Sequence, residues 1–130
     1  MMKQSKKSKT ILVIEDQIPM LQILVYGFDS EGFNVIEAKN GKDGLAMALK
    51  EHPDLILLDI ILPKLDGIEM LKKLRVDNWG KDVPVVVLTD LSDKETIAKT
   101  LENQSYDFFV KSESTIKHVV KRVKKKLRLR

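Results

Sequence analysis

The chain has 130 residues, 43% of them apolar and 32% charged, with a formal net charge of +4 and no cysteine. That length suits one domain around a single core. The missing thiols exclude a disulfide scaffold, a thiolate zinc site and a cysteine nucleophile. No apolar stretch approaches the roughly 20 residues of a membrane span, and the basic start meets too short an apolar run for a signal peptide. The expected location is the cytoplasm, with no membrane insertion.

In chain order, apolar runs alternate with segments of helical period. Residues 1–9 form a basic tail, expected to be disordered, and residues 10–130 form the domain. Ile11–Ile14 is a first strand and runs into Glu15-Asp16. Gln17–Glu31 is a helix with Met20, Leu21, Leu24, Val25 and Phe28 on one face, ended by Gly32. Asn34–Ala38 is a second strand. Gly41–Glu51 is a helix with Leu45, Ala48 and Leu49 inward, stopped by Pro53. Leu55–Leu58 is a third strand and runs into Asp59. Asp66–Asp77 is a helix with Ile68, Leu71 and Leu74 on one face, entered through an Asp66-Gly67 turn. Val83–Leu88 is a fourth strand and runs into Thr89. Ser92 and Glu95 form a capping box for a helix to about Gln104. Phe108–Val110 is a fifth strand and runs into Lys111. A last helix begins near Ser114. Trp79 is expected to cap the core at a loop, and His52 and His118 to serve the surface of helices.

Five strands, each followed by a helix, imply a parallel sheet covered on both faces. Central parallel strands read as continuous apolar runs. The first, third and fourth strands do so, while the second and fifth are shorter or mixed and belong at the edges. The order 2-1-3-4-5 satisfies this. Its switch point lies between strands one and three, and ligands of open α/β sheets bind outside such strand ends. Glu15, Asp16, Asp59, Thr89 and Lys111 therefore meet at one edge. Carboxylates about 5 Å apart repel by roughly 3 kcal/mol per pair at an effective dielectric near 20. A divalent cation, raised pKa values or a lysine must compensate. Oxygen ligands without nearby His or Cys suit Mg²⁺, Mn²⁺ or Ca²⁺. An Asp can itself be a nucleophile toward phosphorus.

Four segments together carry a resemblance. Ile11-Leu12-Val13-Ile14-Glu15-Asp16, Asp59-Ile60-Ile61-Leu62-Pro63-Lys64-Leu65-Asp66-Gly67, Leu88-Thr89 and Phe109-Val110-Lys111 resemble the receiver domain of two-component response regulators. The resemblance implies a flavodoxin-like (βα)5 doubly wound fold. It implies that Asp59 accepts a phosphoryl group from a histidine kinase or phosphotransfer protein. Asp16, Asp59 and the backbone carbonyl of Ile61 would hold Mg²⁺ directly, and Glu15 through a metal-bound water. Lys111 would pair with the phosphoryl group, Thr89 would hydrogen-bond it, and Phe108 falls at the family's switch aromatic. The chain would then be a phosphoacceptor signalling protein rather than an enzyme, assisting its own phosphorylation and dephosphorylation. Two neighbours depart from the family pattern: Asp90, where a small residue is usual, and Ser112, where proline is usual.

The expectation is a stand-alone regulator without an attached output domain. It would act on a protein target through the face of the fourth helix, fifth strand and last helix. A phosphorylation-independent binding module on the same fold is the alternative. A flavin-binding reading lacks a phosphate-cradling loop after the first strand. The charge is uneven. Residues 1–9 hold four basic and no acidic residues, and residues 111–130 hold nine basic and one acidic. Residues 10–110 hold ten basic and eighteen acidic, a net of −8. In the last helix Ile116, Val119, Val120, Val123 and Leu127 form an apolar stripe, with Lys117, Lys121, Lys124, Lys125 and Arg128 largely opposite. That basic face reads as solvated, or as a docking surface for an acidic partner. Nucleic-acid binding has no aromatic platform or motif behind it.

Overall fold

In the computed structural model, residues 8–60, 62, 64, 66–89, 107–111 and 114–128 are described, without the side chains of Thr89 and Phe108. The strands are β1 (Thr10–Ile14), β2 (Asn34–Ala38), β3 (Leu55–Asp59), β4 (Val85–Thr89) and β5 (Asp107–Val110). The helices are α1 (Ile18–Asp29), α2 (Gly41–Glu51), α3 (Gly67–Arg75) and the C-terminal α4 (Ile116–Lys126). All neighbouring strands pair in parallel, in the order β2-β1-β3-β4-β5. The edge and centre positions follow the predicted pattern. β3 is buried throughout, whereas in β2 only Ala38 is fully buried.

Side chains alternate across the sheet, as pleating requires. Leu12, Ile14, Ile56 and Leu58 pack against Met70, Leu71 and Leu74 of α3 and Ala48 of α2. Ile11, Val13, Leu55 and Leu57 pack on the other face against Leu21, Leu24 and Phe28 of α1 and Val119, Val120 and Val123 of α4. The apolar stripe of the last helix is thereby buried as expected. The segment expected to be a helix over Ser92–Gln104 lies outside the described residues.

Three local expectations change. Leu49 is not inward but 37% exposed. Gly41 and Gly44 take the buried side of α2 with Ala48, because Ile14 rises directly beneath that helix. α3 stops at Arg75 rather than Asp77. The Asp77 carboxylate accepts hydrogen bonds from the Trp79 and Gly80 N–H groups at 2.9 and 2.7 Å, a side-chain turn that competes with helix. β4 begins at Val85, since Pro84 has no N–H to give a ladder, though its carbonyl accepts from Ile56 at 3.0 Å. Lys9 already belongs to the fold, its carbonyl accepting from the Asn34 N–H at 2.9 Å. Trp79 packs at the core margin and stacks on His52, which caps α2 from a left-handed conformation. No described helix is long and apolar enough to cross a membrane.

Candidate functional site

Register brings the strand-end residues together. Ile14 is level with Leu58, so Glu15 and Asp59 are the next residues on adjacent strands. Asp59 is level with Leu88, and Thr89 with Val110, which sets Lys111 one residue beyond. Each loop is tied down as it leaves the sheet. The Glu15 N–H donates to the Ala38 carbonyl at 3.0 Å, and the Gly67 N–H to the Ile60 carbonyl at 2.8 Å. Asp66 caps α3 by accepting from the Glu69 N–H at 2.9 Å. Gly67 allows the close approach: a Cβ there would lie 2.6 Å from the Ile60 Cα and 2.9 Å from the Asp59 carbonyl oxygen.

Glu15 is 0% and Asp59 3% exposed. Oxygens of Glu15, Asp16 and Asp59 all lie within 4.8 Å of one another. The Lys111 ammonium reaches 2.9 Å from Asp59 Oδ2 and 2.9 Å from Glu15 Oε1. The Asp59 contact has hydrogen-bond geometry. The Glu15 contact is an ion pair off the bonding angle, so Oε1 is buried without a hydrogen bond. Glu15 Oε2 accepts from the Gln17 N–H at 3.1 Å, and the Gln17 side-chain oxygen lies 3.5 Å from Lys111 Nζ.

Burial pushes the Glu15 carboxyl above its usual 4.5. Lys111 and the Gln17 N–H offset this in part, while the Asp59 charge adds to it. Burial alone would lower Lys111. Its hydrogen bond to Asp59, its close contact with Glu15 and the charges of both acids outweigh that and hold it above 10.5. Three carboxylates against one ammonium leave a net charge of −2 when all are ionised. Clustered oxygen donors, a buried Glu15 oxygen that has an ion pair but no hydrogen bond, and this excess negative charge fit a hard divalent cation such as Mg²⁺.

Glu15, Asp16, Asp59 and Lys111 thus meet as expected from their strand ends. Thr89 ends β4 beside Asp59, and Phe108 sits in β5 level with Val87. Ile61, Asp90 and Ser112 lie outside the described residues. Gln17 was missed. Its only signal is position, two residues beyond Glu15 in the same loop.

Residues 11–124 match the response regulator receiver domain family. The chain is 36% identical over 125 residues to the probable transcriptional regulator ycf27 of Porphyridium aerugineum, covering 92% of this chain and 51% of that protein. It is 38% identical over 104 residues to the alkaline phosphatase synthesis transcriptional regulatory protein PhoP of Bacillus subtilis, covering 80% and 42%. The chain therefore spans about half the length of the curated relatives it matches. A putative response regulator from Chloroflexus aurantiacus superposes with a TM-score of 0.82 at 26% identity, covering 91% of this chain and 96% of that one. Fold, strand-end residues and family match agree: the chain belongs to the receiver-domain family of two-component response regulators.

Proposed function

We propose that this receiver domain is phosphorylated on Asp59 in a Mg²⁺-dependent reaction and signals through a protein partner. The observation that supports this most directly is the shared ammonium of Lys111, 2.9 Å from both Asp59 and Glu15 at the mouth of an acidic cluster. In the transfer, an Asp59 carboxylate oxygen forms a bond to phosphorus as the phosphorus–nitrogen bond of a phosphohistidine breaks. The imidazole nitrogen keeps the electron pair, and Asp59 becomes an acyl phosphate. Lys111 then follows the new negative charge onto a phosphoryl oxygen, and the Thr89 hydroxyl donates to another. Glu15 and Asp16, with Asp59 and the Ile61 carbonyl, would hold Mg²⁺. When bound, the ion supplies neutralisation of phosphoryl charge, the main requirement of such transfers.

The chain acts in this reading as a phosphoacceptor and not as a turnover enzyme, and it accelerates its own phosphorylation and loss of the group. The donor is a histidine kinase or phosphotransfer protein. Addition of about −1.5 to −2 charges redirects Lys111 and Thr89 and biases Phe108 and the face around β5. Incubation with acetyl phosphate and Mg²⁺, followed by Phos-tag electrophoresis, tests the proposal. A retarded band is expected for wild type and none for Asp59→Ala. Identical behaviour of the two proteins sinks it.

A further inference from the structure

The cations of α4 are matched unequally. Lys124 pairs with Glu31 of the turn after α1. Arg122 and Lys126, 3.6 and 3.4 Å from the Asp107 carboxylate, share that one acid. Lys121 and Lys125 are exposed and have no acidic partner among the described residues. Arg122, Lys126, Lys121 and Lys125 together therefore face a single carboxylate, an excess of three positive charges. Lys121 and Lys125 stand four residues apart, and like charges at that spacing weaken a helix.

These charges gather at a pocket on the β5 edge of the sheet. Its volume is about 340 Å³, and Phe109, Ser114, His118, Lys121, Arg122 and Lys125 line it. His118, Lys121, Arg122 and Lys125 recur three and four apart, so they share one side of α4. Phe109 is half-buried on β5 and packs on the core behind it, which holds the ring in place. Residue order separates this ring from the cations by a turn and most of a helix, and only the fold sets them side by side. Thr115 rather than Ser114 caps α4, its hydroxyl oxygen accepting from the His118 N–H at 3.2 Å. The Ser114 hydroxyl and the His118 ring make no hydrogen bond among the described residues. Hydroxyl, imidazole, ammonium and guanidinium can all donate hydrogen bonds, and no described lining residue is a carboxylate.

We propose that this pocket binds a nucleoside di- or triphosphate. The base lies against the Phe109 ring, and the phosphates take hydrogen bonds from Lys121, Arg122, Lys125, His118 and Ser114. One phosphate group carries about −1.5 to −2 charges and leaves the cations unmatched, whereas two or three phosphates balance them. An aromatic ring beside cations is the combination that stacks a base while holding its phosphate. The volume falls in the range of small-molecule sites, about 300–1,000 Å³. A partner helix fits less well, because it needs an apolar stripe and Phe109 is the single apolar side chain of the six. A long nucleic acid is opposed by the net −8 of residues 10–110. The pocket shares no residue with the Asp59 cluster, so the inference goes beyond phosphorylation and does not require it.

The test titrates the full chain, in EDTA and at low salt, with ATP and GTP by calorimetry and by amide NMR. Controls are adenosine, pyrophosphate and a single-stranded oligonucleotide. Saturable one-to-one binding of ATP or GTP is expected, with shifts centred on Phe109 and on residues 114–125. K121E combined with K125E should weaken it by at least about tenfold. Phe109→Leu keeps an apolar side chain against the core but removes the ring, and should also weaken it by about tenfold. Circular dichroism confirms that the variants fold. Asp59→Ala should bind as wild type, so failure of the phosphorylation reading leaves this result intact. Absence of saturable nucleotide binding overturns the proposal, as do shifts centred on Glu15 and Asp59. Adenosine binding as tightly as ATP removes the cations from the site and overturns it. Pyrophosphate binding as tightly as ATP, with Phe109→Leu unchanged, removes the base and overturns it too. It also falls if the oligonucleotide binds with the same lysine dependence and ATP does not displace it.

Discussion

Lys111 Nζ stands 2.9 Å from Asp59 Oδ2 and 2.9 Å from Glu15 Oε1, so two buried carboxylates share one ammonium. Lys111→Met removes the one ammonium that both acids contact. Breaking a buried ion pair from one side costs about 3 kcal/mol or more. Urea denaturation at neutral pH without divalent cation should show a loss of that order. Millimolar Mg²⁺ should restore more stability to the variant than it adds to wild type. Equal Mg²⁺ effects on both proteins would argue against metal and lysine compensating the same charges.

Asp16 belongs to the same cluster but makes no contact with the ammonium among the described residues. Its removal relieves repulsion without breaking an ion pair. Asp16→Asn should therefore raise stability without Mg²⁺ by about 1 kcal/mol, while weakening Mg²⁺ binding at least tenfold. Urea midpoints and a Mg²⁺ titration by calorimetry check the two halves. A stabilised variant with unchanged Mg²⁺ affinity would remove Asp16 from the ligand set.

Glu15 sets the pH behaviour. Its carboxyl is raised above 4.5 in the fold, mainly by burial, so the folded state holds a proton that the unfolded state has released. Stability linked to Glu15 is therefore fully present below about 4.5 and declines as pH rises through the higher folded value. Lys111, held above 10.5, adds stability that is lost only when pH rises past that range. Urea unfolding from pH 4.5 upward should show a falling Glu15 contribution, absent in Glu15→Gln. Mg²⁺ binding should move the opposite way and strengthen as Glu15 ionises. A Mg²⁺ affinity flat across this window would contradict the assignment.

Much of this was legible in residue order because two patterns carry it. Continuous apolar runs mark β1, β3 and β4 as central, and the residues that end them must share one edge of a parallel sheet. The less legible features depend on side-chain competition across the chain. Asp77 ends α3 early by bonding the Trp79 and Gly80 N–H groups, which an apolar period does not reveal. Leu49 yields the inner side of α2 to Gly44 because Ile14 stands beneath it. The direct bridge from Lys111 to Glu15 depends on where one long side chain settles between two acids, and spacing says nothing of that.

Gly67 makes a prediction that separates site from scaffold. A Cβ there would come within 2.6 Å of the Ile60 Cα, and a backbone atom cannot yield as a flexible side chain can. Gly67→Ala should push Ile60 and the adjoining Asp59 carbonyl out of place, with a stability loss of about 2 kcal/mol. Phosphorylation by acetyl phosphate should slow by more than the unfolded fraction explains, because positioning of Asp59 is disturbed. Unchanged phosphorylation in a destabilised variant would mean the strain is absorbed by the loop ahead of α3.

His52 ends α2 at φ 49°, in the left-handed region, and its ring stacks on Trp79 with centroids 4.2 Å apart and planes 11° apart. Two opposing contributions can be separated there. The left-handed conformation costs a non-glycine residue about 1–2 kcal/mol, and an aromatic stack returns about 0.5–1.5 kcal/mol. His52→Gly removes both and should shift the urea midpoint little. His52→Val loses the stack, keeps the left-handed backbone and adds β-branching, so it should destabilise by about 2 kcal/mol. Trp79 is the sole tryptophan, so its emission reports both variants directly and should change in each as the stacked ring is lost. Equal stability of the glycine and valine variants would show that the chain reverses differently once the stack is gone.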